Sequence, residues 1–266
     1  MIKLEHVVLA SPEQMEFIIK GLRNPHDSWA RSDSGAGCYI TEYDSVVNKE
    51  KYSVRSVAAR CETCTWCEPL CYGEPERRSY ILGPNDHSLM QRLANAGTDH
   101  RKFMRMMPVY VRITAPLYWW KEFDTYKVGT VANSCSTMHK IQEKEFTLED
   151  FSYEHLNRIG TSTLWEIIDI LNIARKLYLE GGEYKGEHYE AKDKRVWWQM
   201  IQLLPSSYNQ TRNVMMNYEV LSNIYKSRKD HKLDEWREFC KWIETLPYPE
   251  IITLKATSQN ASVTHQ

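Results

Sequence analysis

The chain has 266 residues, with 34 Lys and Arg against 35 Asp and Glu and a formal net charge of -1 at pH 7. With 42% hydrophobic residues it is too apolar for a mainly disordered protein. The balanced charge gives no strong nucleic-acid signal, since phosphate binding normally requires a basic excess. No apolar run approaches the about 20 residues that cross a bilayer, and no secretory signal pattern is visible. We therefore expect a cytoplasmic protein with no membrane partner.

The first predicted elements are a strand and a helix. Ile2–Leu9 is a short, partly β-branched apolar run. Ser11–Glu13 supplies an N-cap residue, a proline at the first helical position and an acid in the first turn. The helix should end before Pro25, because the residue that precedes a proline avoids the α region. Residues 24–80 lack a clear period and are predicted to be irregular, apart from a short strand at Tyr52–Val57.

The middle of the chain predicts a helix, a strand and an aromatic helix in succession. Helical signals begin at Asn85, and Gly97 is suited to end that helix. Met106–Thr114 alternates between apolar and polar residues as a half-buried strand does. Pro116 is suited to open a helix over Leu117–Tyr126.

The second half predicts further helices and an exposed connector. Thr163–Glu166 matches a capping box ahead of a helix that runs to Glu180. Gly181–Asp193 has the polar composition of an exposed connector. Three more helices are predicted at Val196–Leu204, Asn213–Arg228 and Leu233–Leu246.

The domain organisation is predicted from repeats, linkers and segments of unusual composition. There is no internal repeat and no clear linker, so we expect a single domain over residues 1–256. A dense group of cysteines marks an insert near residues 38–80. The polar residues 257–266 are predicted to form a disordered tail.

The insert contains four cysteines whose spacing has three interpretations. The four are Cys61, Cys64, Cys67 and Cys71. A bacterial ferredoxin run has this spacing followed by proline, where Tyr72 stands here, and its thiolates hold iron-sulfur clusters. Structural zinc also accepts four thiolates, although it more often uses two separated CxxC pairs. The third interpretation is a loop of free thiols or incidental disulfides, and all three stay open.

Familiar enzyme motifs are missing, but two polar stretches remain. There is no phosphate-binding glycine loop, HExxH or GxSxG sequence. Residues 125–139 are rich in Gly, Ser, Thr and Asn and include Lys127. A later stretch places Asn217, Asn223 and Arg228 near one side of a predicted helix. Both are suited to bind an anion or a base, although taken alone they are more typical of a turn-rich loop and a solvated helix face.

Several segments, taken in chain order, share features with one enzyme family. The opening VVLASPEQMEFIIKGLR has the order of a strand, a proline turn and a first helix, and His100 precedes the strand at Met106–Thr114. Asn133–Ser136 is similar to an Asn-Glu-x-Ser motif. The segment from 203 to 236 has a Leu-Pro pair, a strand or turn, and an Asn-containing helix that ends in Arg228. In these features the sequence resembles the flavin-dependent thymidylate synthases, which methylate deoxyuridylate through a reduced flavin.

The resemblance implies a fold, ligands and an assembly. It implies an α/β (α+β) domain, a twisted sheet flanked by helices, that binds FAD and a pyrimidine nucleotide such as dUMP and assembles as a homotetramer. No catalytic residue is assigned. The candidate nucleotide-binding residues are Ser136, Lys127 and Arg228. The candidate cofactor-binding residues are Asn217, Asn223, His100 and Asn133.

The sequence departs from the family at its charged signature. Where the family has Arg-His-Arg to hold flavin and nucleotide phosphates, this chain has Glu122–Asp124 or Tyr126–Val128, depending on where a gap is placed. Glu219 stands where the late helix of the family has an arginine. An acid in the place of an arginine repels a phosphate, so the fold is better predicted than the activity.

Other residues are candidates to rebuild such a site. The cations available for new ionic contacts are Lys127, Arg112, Arg212 and Lys226. The aromatic residues available to stack on a base or a flavin ring are Tyr118, Trp119, Trp120 and Tyr126. Because adjacent helical residues face different ways, at least one of the two tryptophans is expected in the core or in a subunit interface.

Three functions remain in competition. The first is a flavin-dependent enzyme that methylates or otherwise modifies dUMP, and the late Asn/Arg helix favours it. The second is a non-catalytic protein that sequesters a nucleotide on the same fold, which the loss of the Arg-His-Arg signature favours. The third is a metal or iron-sulfur protein, and it depends on the four clustered cysteines alone.

Overall fold

The computed structural model describes residues 2–44, 49–54 and 78–254. The strand predicted at Tyr52–Val57 lies within these ranges only up to Val54, where it is the end of a described strand. The predictions for the tail 257–266 fall outside the described residues. The same holds for the four clustered cysteines, Cys61, Cys64, Cys67 and Cys71, so their metal or cluster stays a prediction.

Strands and helices alternate along the described chain. The strands are β1 (Lys3–Leu9), β2 (Gly35–Asp44), β3 (Lys49–Val54), β4 (Arg78–Ile81), β5 (Pro108–Pro116), β6 (Val131–Ser134), β7 (Gly182–Tyr184), β8 (Glu187–Tyr189) and β9 (Asn209–Asn217). The helices are α1 (Pro12–Arg23), α2 (Pro84–Asn95), α3 (Lys102–Arg105), α4 (Leu117–Phe123), α5 (Thr137–Lys140), α6 (Arg158–Glu180), α7 (Lys194–Leu203), α8 (Tyr218–Arg228), α9 (Asp234–Ile243) and α10 (Pro249–Thr253). Short 3-10 turns occur at Asn24–His26, Trp29–Arg31 and Leu148–Asp150.

The strands form a larger twisted sheet and two smaller ones. The larger sheet has the order β1-β5-β9-β6, the second has the order β3-β2-β4, and β7 pairs with β8 as a hairpin. β6 runs antiparallel to β9, with Asn133 opposite Asn213. In β5 the side chains of Val109, Val111 and Ile113 are buried and alternate with exposed ones, so the predicted half-buried strand is confirmed.

The described chain divides into two compact units. The first unit comprises Met1–Val7, Tyr110–Met215 and Arg228–Lys241, and the second comprises Val8–Val109, Met216–Ser227 and Trp242–Gln266. Most of the larger sheet, with α4 to α7 and most of α9, belongs to the first unit. The prediction of a single domain over residues 1–256 stays a prediction.

The first unit has an aromatic core around α4 and α9. Trp119, Trp120, Phe123, Trp236 and Phe239 are each at most 1% exposed. The ring centroids of Trp119 and Trp236 lie 4.7 Å apart, and those of Trp119 and Trp120 lie 4.9 Å apart in an edge-to-face arrangement. Both adjacent tryptophans are therefore core residues, and neither leaves a ring face on which a ligand could stack.

A second apolar cluster of the first unit lies between α6 and α7. Leu164, Ile168 and Leu171 on α6 are buried with Val196 and Met200 on α7. These positions recur at helical spacing, which is why both amphipathic helices are visible in the sequence. The prediction that α6 ends at Glu180 is confirmed.

The second unit is built around α1. Ser11 caps this helix, since its hydroxyl accepts a hydrogen bond from the Gln14 amide, and the helix ends at Arg23 as predicted. The apolar face of α1 comprises Met15, Ile18, Ile19 and Leu22, all at most 6% exposed. Local signals alone therefore specify this helix and the face that it buries.

The prediction that residues 24–80 are irregular is wrong. They include β2, β3 and the start of β4; β2 pairs with the nearby β3, where Asp44 lies opposite Lys49, and with the more distant β4, where Gly35 lies opposite Ile81. Residues 181–193 are mostly exposed, as predicted, but β7 and β8 form a hairpin there, with Lys185 and Gly186 both at positive φ in the turn. This is the geometry that tight hairpin turns require.

Two predicted helix starts are also wrong. The helix that ends at Glu180 begins at Arg158, and Asn157 rather than Thr163 caps it. The Thr163 hydroxyl instead donates to the carbonyl of Ile159 inside the helix, a bond that a threonine in mid-helix commonly makes. Residues 209–217 form a strand, so the helix predicted from Asn213 begins only at Tyr218.

Candidate functional site

Arg228 lies at the centre of a polar and aromatic cluster in the first unit. We call Glu122, Tyr126, Arg228, His231 and Trp236 the Arg228 cluster. Arg228 Nη1 donates to Glu122 Oε2 at 2.6 Å, and Arg228 Nε donates to the Tyr126 hydroxyl at 2.9 Å. The centre of the guanidinium lies 4.9 Å from the Trp236 ring and 5.7 Å from the Tyr126 ring. Two aromatic rings and a carboxylate therefore hold the cation.

Short segments bring these five residues together. Glu122 is on the last turn of α4 and Tyr126 follows it, while Arg228 is the last residue of α8. His231 is in the turn after α8, where its backbone amide donates to the Arg228 carbonyl at 3.0 Å. Trp236 is on α9, and its indole N–H donates to Glu122 Oε2 at 2.9 Å. The same carboxylate oxygen thus accepts hydrogen bonds from Trp236 and from Arg228.

Two further contacts place His231 in the cluster. The Leu233 amide donates to His231 Nδ1 at 3.2 Å, and Arg228 Nη1 lies 3.1 Å from His231 Nε2. His231 Nε2 also lies 3.4 Å from Glu122 Oε2. The imidazole ring therefore lies beside both members of the ion pair.

Glu122 and Arg228 each keep one polar atom without a partner in the described ranges. No hydrogen bond from a described residue reaches Glu122 Oε1 or Arg228 Nη2. The two side chains are 35% and 19% exposed. The cluster therefore has one acceptor and one donor without a partner among the described residues, on two partly exposed side chains.

A second arginine of the first unit is also paired. Arg212 Nη1 donates to Asp124 Oδ1 at 2.7 Å and Arg212 Nε donates to Gln210 Oε1 at 3.0 Å. Its guanidinium lies 4.2 Å from the Trp120 ring. Glu122 and Asp124 are thus both partners of arginines within the chain.

The candidate cofactor residues of the second unit have local partners. Asn217 Oδ1 accepts from the Val220 amide at 3.0 Å, which makes Asn217 the cap of α8. Asn223 Oδ1 accepts from Arg101 Nη2 at 3.5 Å, and His100 is exposed. Glu219 pairs with Arg101 at 3.2 Å and also with Arg105.

These contacts decide how well this part of the second unit fits a flavin. The diphosphate of FAD needs cationic partners, but the two arginines near Asn223 are already paired with Glu219. The side-chain oxygen Oδ1 of Asn217 already accepts the hydrogen bond that caps α8. As arranged here, these residues do not fit the diphosphate.

The remaining candidates of the first unit are exposed. Ser136 caps the short helix α5, where its hydroxyl accepts from the His139 amide at 3.1 Å. Lys127 is in a turn, with its carbonyl 3.3 Å from the Thr130 amide, and Asn133 is on the edge strand β6. In the described part of the chain, no hydrogen bond joins the side chains of these three candidates to the Arg228 cluster.

Sequence reasoning missed the pairing of Glu122 with Arg228. The sequence offers a signal for it, because one of the two placements of the family signature puts an acid at position 122 while the resemblance keeps an arginine at 228. Of the aromatic candidates, Tyr126 contacts Arg228, whereas the Tyr118 hydroxyl donates to Glu235. Burial raises the pKa of Tyr118 above its usual range, and the hydrogen bond to that carboxylate acts in the same direction.

The described ranges contain neither a metal-binding group nor a membrane-spanning helix. No group of three or more His, Cys, Asp and Glu there is arranged to hold a metal ion. None of the helices described is both long and apolar enough to cross a membrane.

Comparison with known proteins gives a result at the level of the fold. No protein-family model and no curated protein matches the sequence. Two crystal structures of flavin-dependent thymidylate synthase X from Helicobacter pylori, both with FAD and dUMP, match with a TM-score of 0.53. The fold resembles that of flavin-dependent thymidylate synthases. The sequence identities are 13% and 14%, and the matches cover 94% of this chain and 94% and 95% of the others.

This similarity confirms the predicted fold class, a mixed α/β protein with a twisted sheet flanked by helices. At such low identity it extends to the fold and not to individual residues. The Arg228 cluster is therefore supported by the contacts within this chain and not by the similarity.

Proposed function

We propose that the chain binds a pyrimidine deoxynucleotide such as dUMP. The observation that carries this proposal is the likeness in fold, over 94% of the chain, to a thymidylate synthase solved with FAD and dUMP. The Arg228 cluster supports it, because Arg228 is the arginine that the resemblance assigns to the nucleotide. Its guanidinium is held in place by Glu122 and Tyr126, and its Nη2 has no hydrogen-bond partner among the described residues.

Calorimetric titration with dUMP tests nucleotide binding. We expect saturable binding, and we expect Arg228→Ala to weaken it at least tenfold, since hydrogen bonds that involve a charged group contribute roughly 1.5–3 kcal/mol. Arg195→Ala is a matched control, because Arg195 is an exposed arginine that pairs with Asp193. The absence of dUMP binding to the intact chain would contradict the proposal.

The enzymatic form of the proposal adds FAD and turnover. A reduced flavin would supply the one-carbon or hydride chemistry, and the chain would position the nucleotide. Asn223 and His100 are the candidate contacts of the flavin in the second unit, whereas the pairs at Glu219 argue against its diphosphate. FAD titration and an assay of dUMP modification with reduced flavin and a folate donor test this form separately from nucleotide binding.

A specific observation favours a second function, nucleotide binding without turnover. In one of the two placements of the missing cationic signature its positions fall on Glu122–Asp124, and these two acids neutralise Arg228 and Arg212. A site that has lost its phosphate-holding cations can keep a binding role and lose the reaction. Tight dUMP binding with no product after long incubation would support this function, and turnover would exclude it.

Self-assembly as a homotetramer belongs to the same proposal. Helix α6 exposes large apolar side chains, among them Ile159 at 78%, Trp165 at 47% and Ile170 at 45%. Such a concentration on one helix is typical of surfaces that another protein covers. Light scattering after size-exclusion chromatography should give the tetramer mass, and Ile159→Lys should reduce it. A monomer at all concentrations would contradict the assembly.

The cysteine cluster carries a separate proposal, a metal ion or an iron-sulfur cluster held by Cys61, Cys64, Cys67 and Cys71. Its support is the spacing alone. Anaerobic purification followed by metal and sulfide analysis tests it. Bound iron with sulfide, or bound zinc, should disappear when the first two cysteines are changed to Ser, and a metal-free protein would exclude it.

A further inference from the structure

The Arg228 cluster holds its ion pair through the inner atoms and leaves the outer atoms to a ligand. Glu122 Oε2 accepts from Arg228 Nη1 and from Trp236 Nε1, so the position of the carboxylate is fixed. Glu122 Oε1 and Arg228 Nη2 are the outer atoms of the same pair. Neither atom has a hydrogen-bond partner in the described part of the chain, and the Glu122 and Arg228 side chains are 35% and 19% exposed.

A phosphate group suits this arrangement poorly. It would approach Arg228 within reach of a carboxylate that already lies 2.6 Å from the guanidinium, and two anions so close repel each other. To displace Glu122 would leave the buried Trp236 indole N–H without its acceptor, which is costly. The pair instead suits a neutral ligand edge on which a donor is adjacent to an acceptor.

A pyrimidine base of the uracil type has such an edge. Its ring N–H is flanked by carbonyl oxygens, and it offers no charge for Glu122 to repel. Carboxylates accept from base N–H groups and arginines donate to base carbonyls in many nucleic-acid complexes. We propose that Glu122 accepts a hydrogen bond from the imide N–H of the base while Arg228 donates to the neighbouring carbonyl. This inference rests on the proposed nucleotide binding and assigns the specificity for the base to Glu122.

The ring of a flavin carries the same imide edge, so the chemistry has two sources and the experiment separates them. One pair of probes is dUMP and N3-methyl-dUMP. The other pair is lumiflavin and 3-methyllumiflavin, which lack the phosphates of FAD. In each pair the methyl group removes the N–H that Glu122 would accept from.

Glu122→Gln gives a sharper test because the local donors determine how the new amide is oriented. Arg228 Nη1 and Trp236 Nε1 both donate, so the amide oxygen of Gln faces them and its NH2 group takes the outer position. The outer acceptor becomes a donor. Two adjacent donors match the carbonyl oxygen and unprotonated ring nitrogen of cytosine, and they do not match uracil.

The experiment is calorimetry of the full chain and of Glu122→Gln with dUMP, N3-methyl-dUMP and dCMP. For the intact chain we expect the methyl group to weaken binding at least tenfold. For Glu122→Gln we expect dUMP binding to fall at least tenfold and the preference to shift toward dCMP. Glu143→Gln, an exposed carboxylate that pairs with Lys140, is the matched control and should bind like the intact chain.

The outcomes separate this inference from the proposed function. If dUMP binds and N3-methyl-dUMP binds within twofold of it, nucleotide binding stands and the reading of the imide edge is overturned. If dUMP does not bind but lumiflavin binds at least tenfold better than its 3-methyl form, the imide edge stands with a flavin as its source. If neither dUMP nor lumiflavin binds more tightly than its methylated form, the inference is overturned. Thermal melting of Glu122→Gln confirms that a change in binding is not a loss of folding.

Discussion

Two arginine–carboxylate pairs in this chain differ in the number of hydrogen-bond donors around the carboxylate, and this number decides whether both of its oxygens are occupied. In the second unit, Arg23 donates to Asp86 at 2.5 Å, and the two side chains are 4% and 0% exposed. In the first unit, Arg228 donates to Glu122 at 2.6 Å, and the two are 19% and 35% exposed. The chemistry of the two pairs is the same, but their surroundings differ.

Both oxygens of Asp86 are engaged. Arg23 reaches Oδ1, while Oδ2 accepts from the hydroxyls of Ser32 and Ser34 at 2.8 and 2.6 Å and from the amides of Asp33 and Ser34. Burial opposes the ionisation of Asp86, but the hydrogen bonds from Ser34, Ser32 and Arg23 outweigh it and hold its pKa below the usual value. Asp86 therefore ties the segment after α1 to the start of α2, whereas Glu122 keeps one oxygen for a ligand.

The largest effect on stability is expected at Asp86. Asp86→Ala would leave Arg23 buried without its partner, and breaking a buried pair in this way costs about 3–5 kcal/mol. Urea unfolding followed by circular dichroism measures the loss. A cost below about 1 kcal/mol, the range of exposed pairs, would remove the distinction between the two arginine–carboxylate pairs.

Acid should weaken the second unit through the same residue. Because the folded pKa of Asp86 lies below its unfolded value, its contribution is fully present above the unfolded pKa, which is about 3.9, and is lost as the pH falls through the folded pKa. Urea midpoints measured between neutral and acidic pH should fall more steeply for the intact chain than for Asp86→Asn. Parallel curves would assign the acid sensitivity to other groups.

A smaller effect is expected at Glu122. Glu122→Ala removes the acceptor of Trp236 Nε1 and the partner of Arg228, but water can replace it because the pair is partly exposed. We expect a loss of about 1–2 kcal/mol in the free energy of unfolding. The same urea titration checks this value, and a cost equal to that of Asp86→Ala would show that Glu122 is as structural as Asp86.

Asn217 allows a test of whether a candidate cofactor residue acts as a helix cap. Asn217→Ala should cost about 1 kcal/mol through the lost bond to the Val220 amide, whereas Asn217→Asp should retain most of the stability. Thermal melting compares the two variants. If both melt like the intact chain, the cap contributes nothing, and the asparagine is available to a ligand.

The smallest effect is expected at an exposed pair. Glu143→Gln breaks the contact with Lys140, whose side chain is 65% exposed, and should change stability by no more than about 0.5 kcal/mol. Urea unfolding is again the measurement. A larger loss would mean that exposure alone does not rank the ion pairs of this chain.

Local signals predicted a large part of the fold. The N-cap at Ser11 and the proline after Arg23 specify α1, and the alternation in Met106–Thr114 specifies β5. The helix after Pro116 and the end of α6 were also predicted. Each of these depends on residues within about one or two turns of one another, so the sequence around them contains the whole signal.

Predictions failed where the deciding partner lies far along the chain. The glycines and polar residues of β2 have no strong period, and its first residues pair with the distant β4, where Gly35 lies opposite Ile81. Asn213 was placed on a helix, whereas pairing with β6 keeps it in a strand. Trp119 and Trp120 were candidates for stacking, but packing around α4 buries both.

The sequence by itself determined the fold class, the capped helix α1, the half-buried central strand and the resemblance that drew attention to Arg228. Only the tertiary structure decided what Arg228 contacts. Glu122 is 106 positions away along the chain, and their contact depends on the packing of α4 and α9 in the aromatic core. Amino-acid spacing encodes interactions along one helix or strand, whereas the choice of a distant partner depends on how those elements pack.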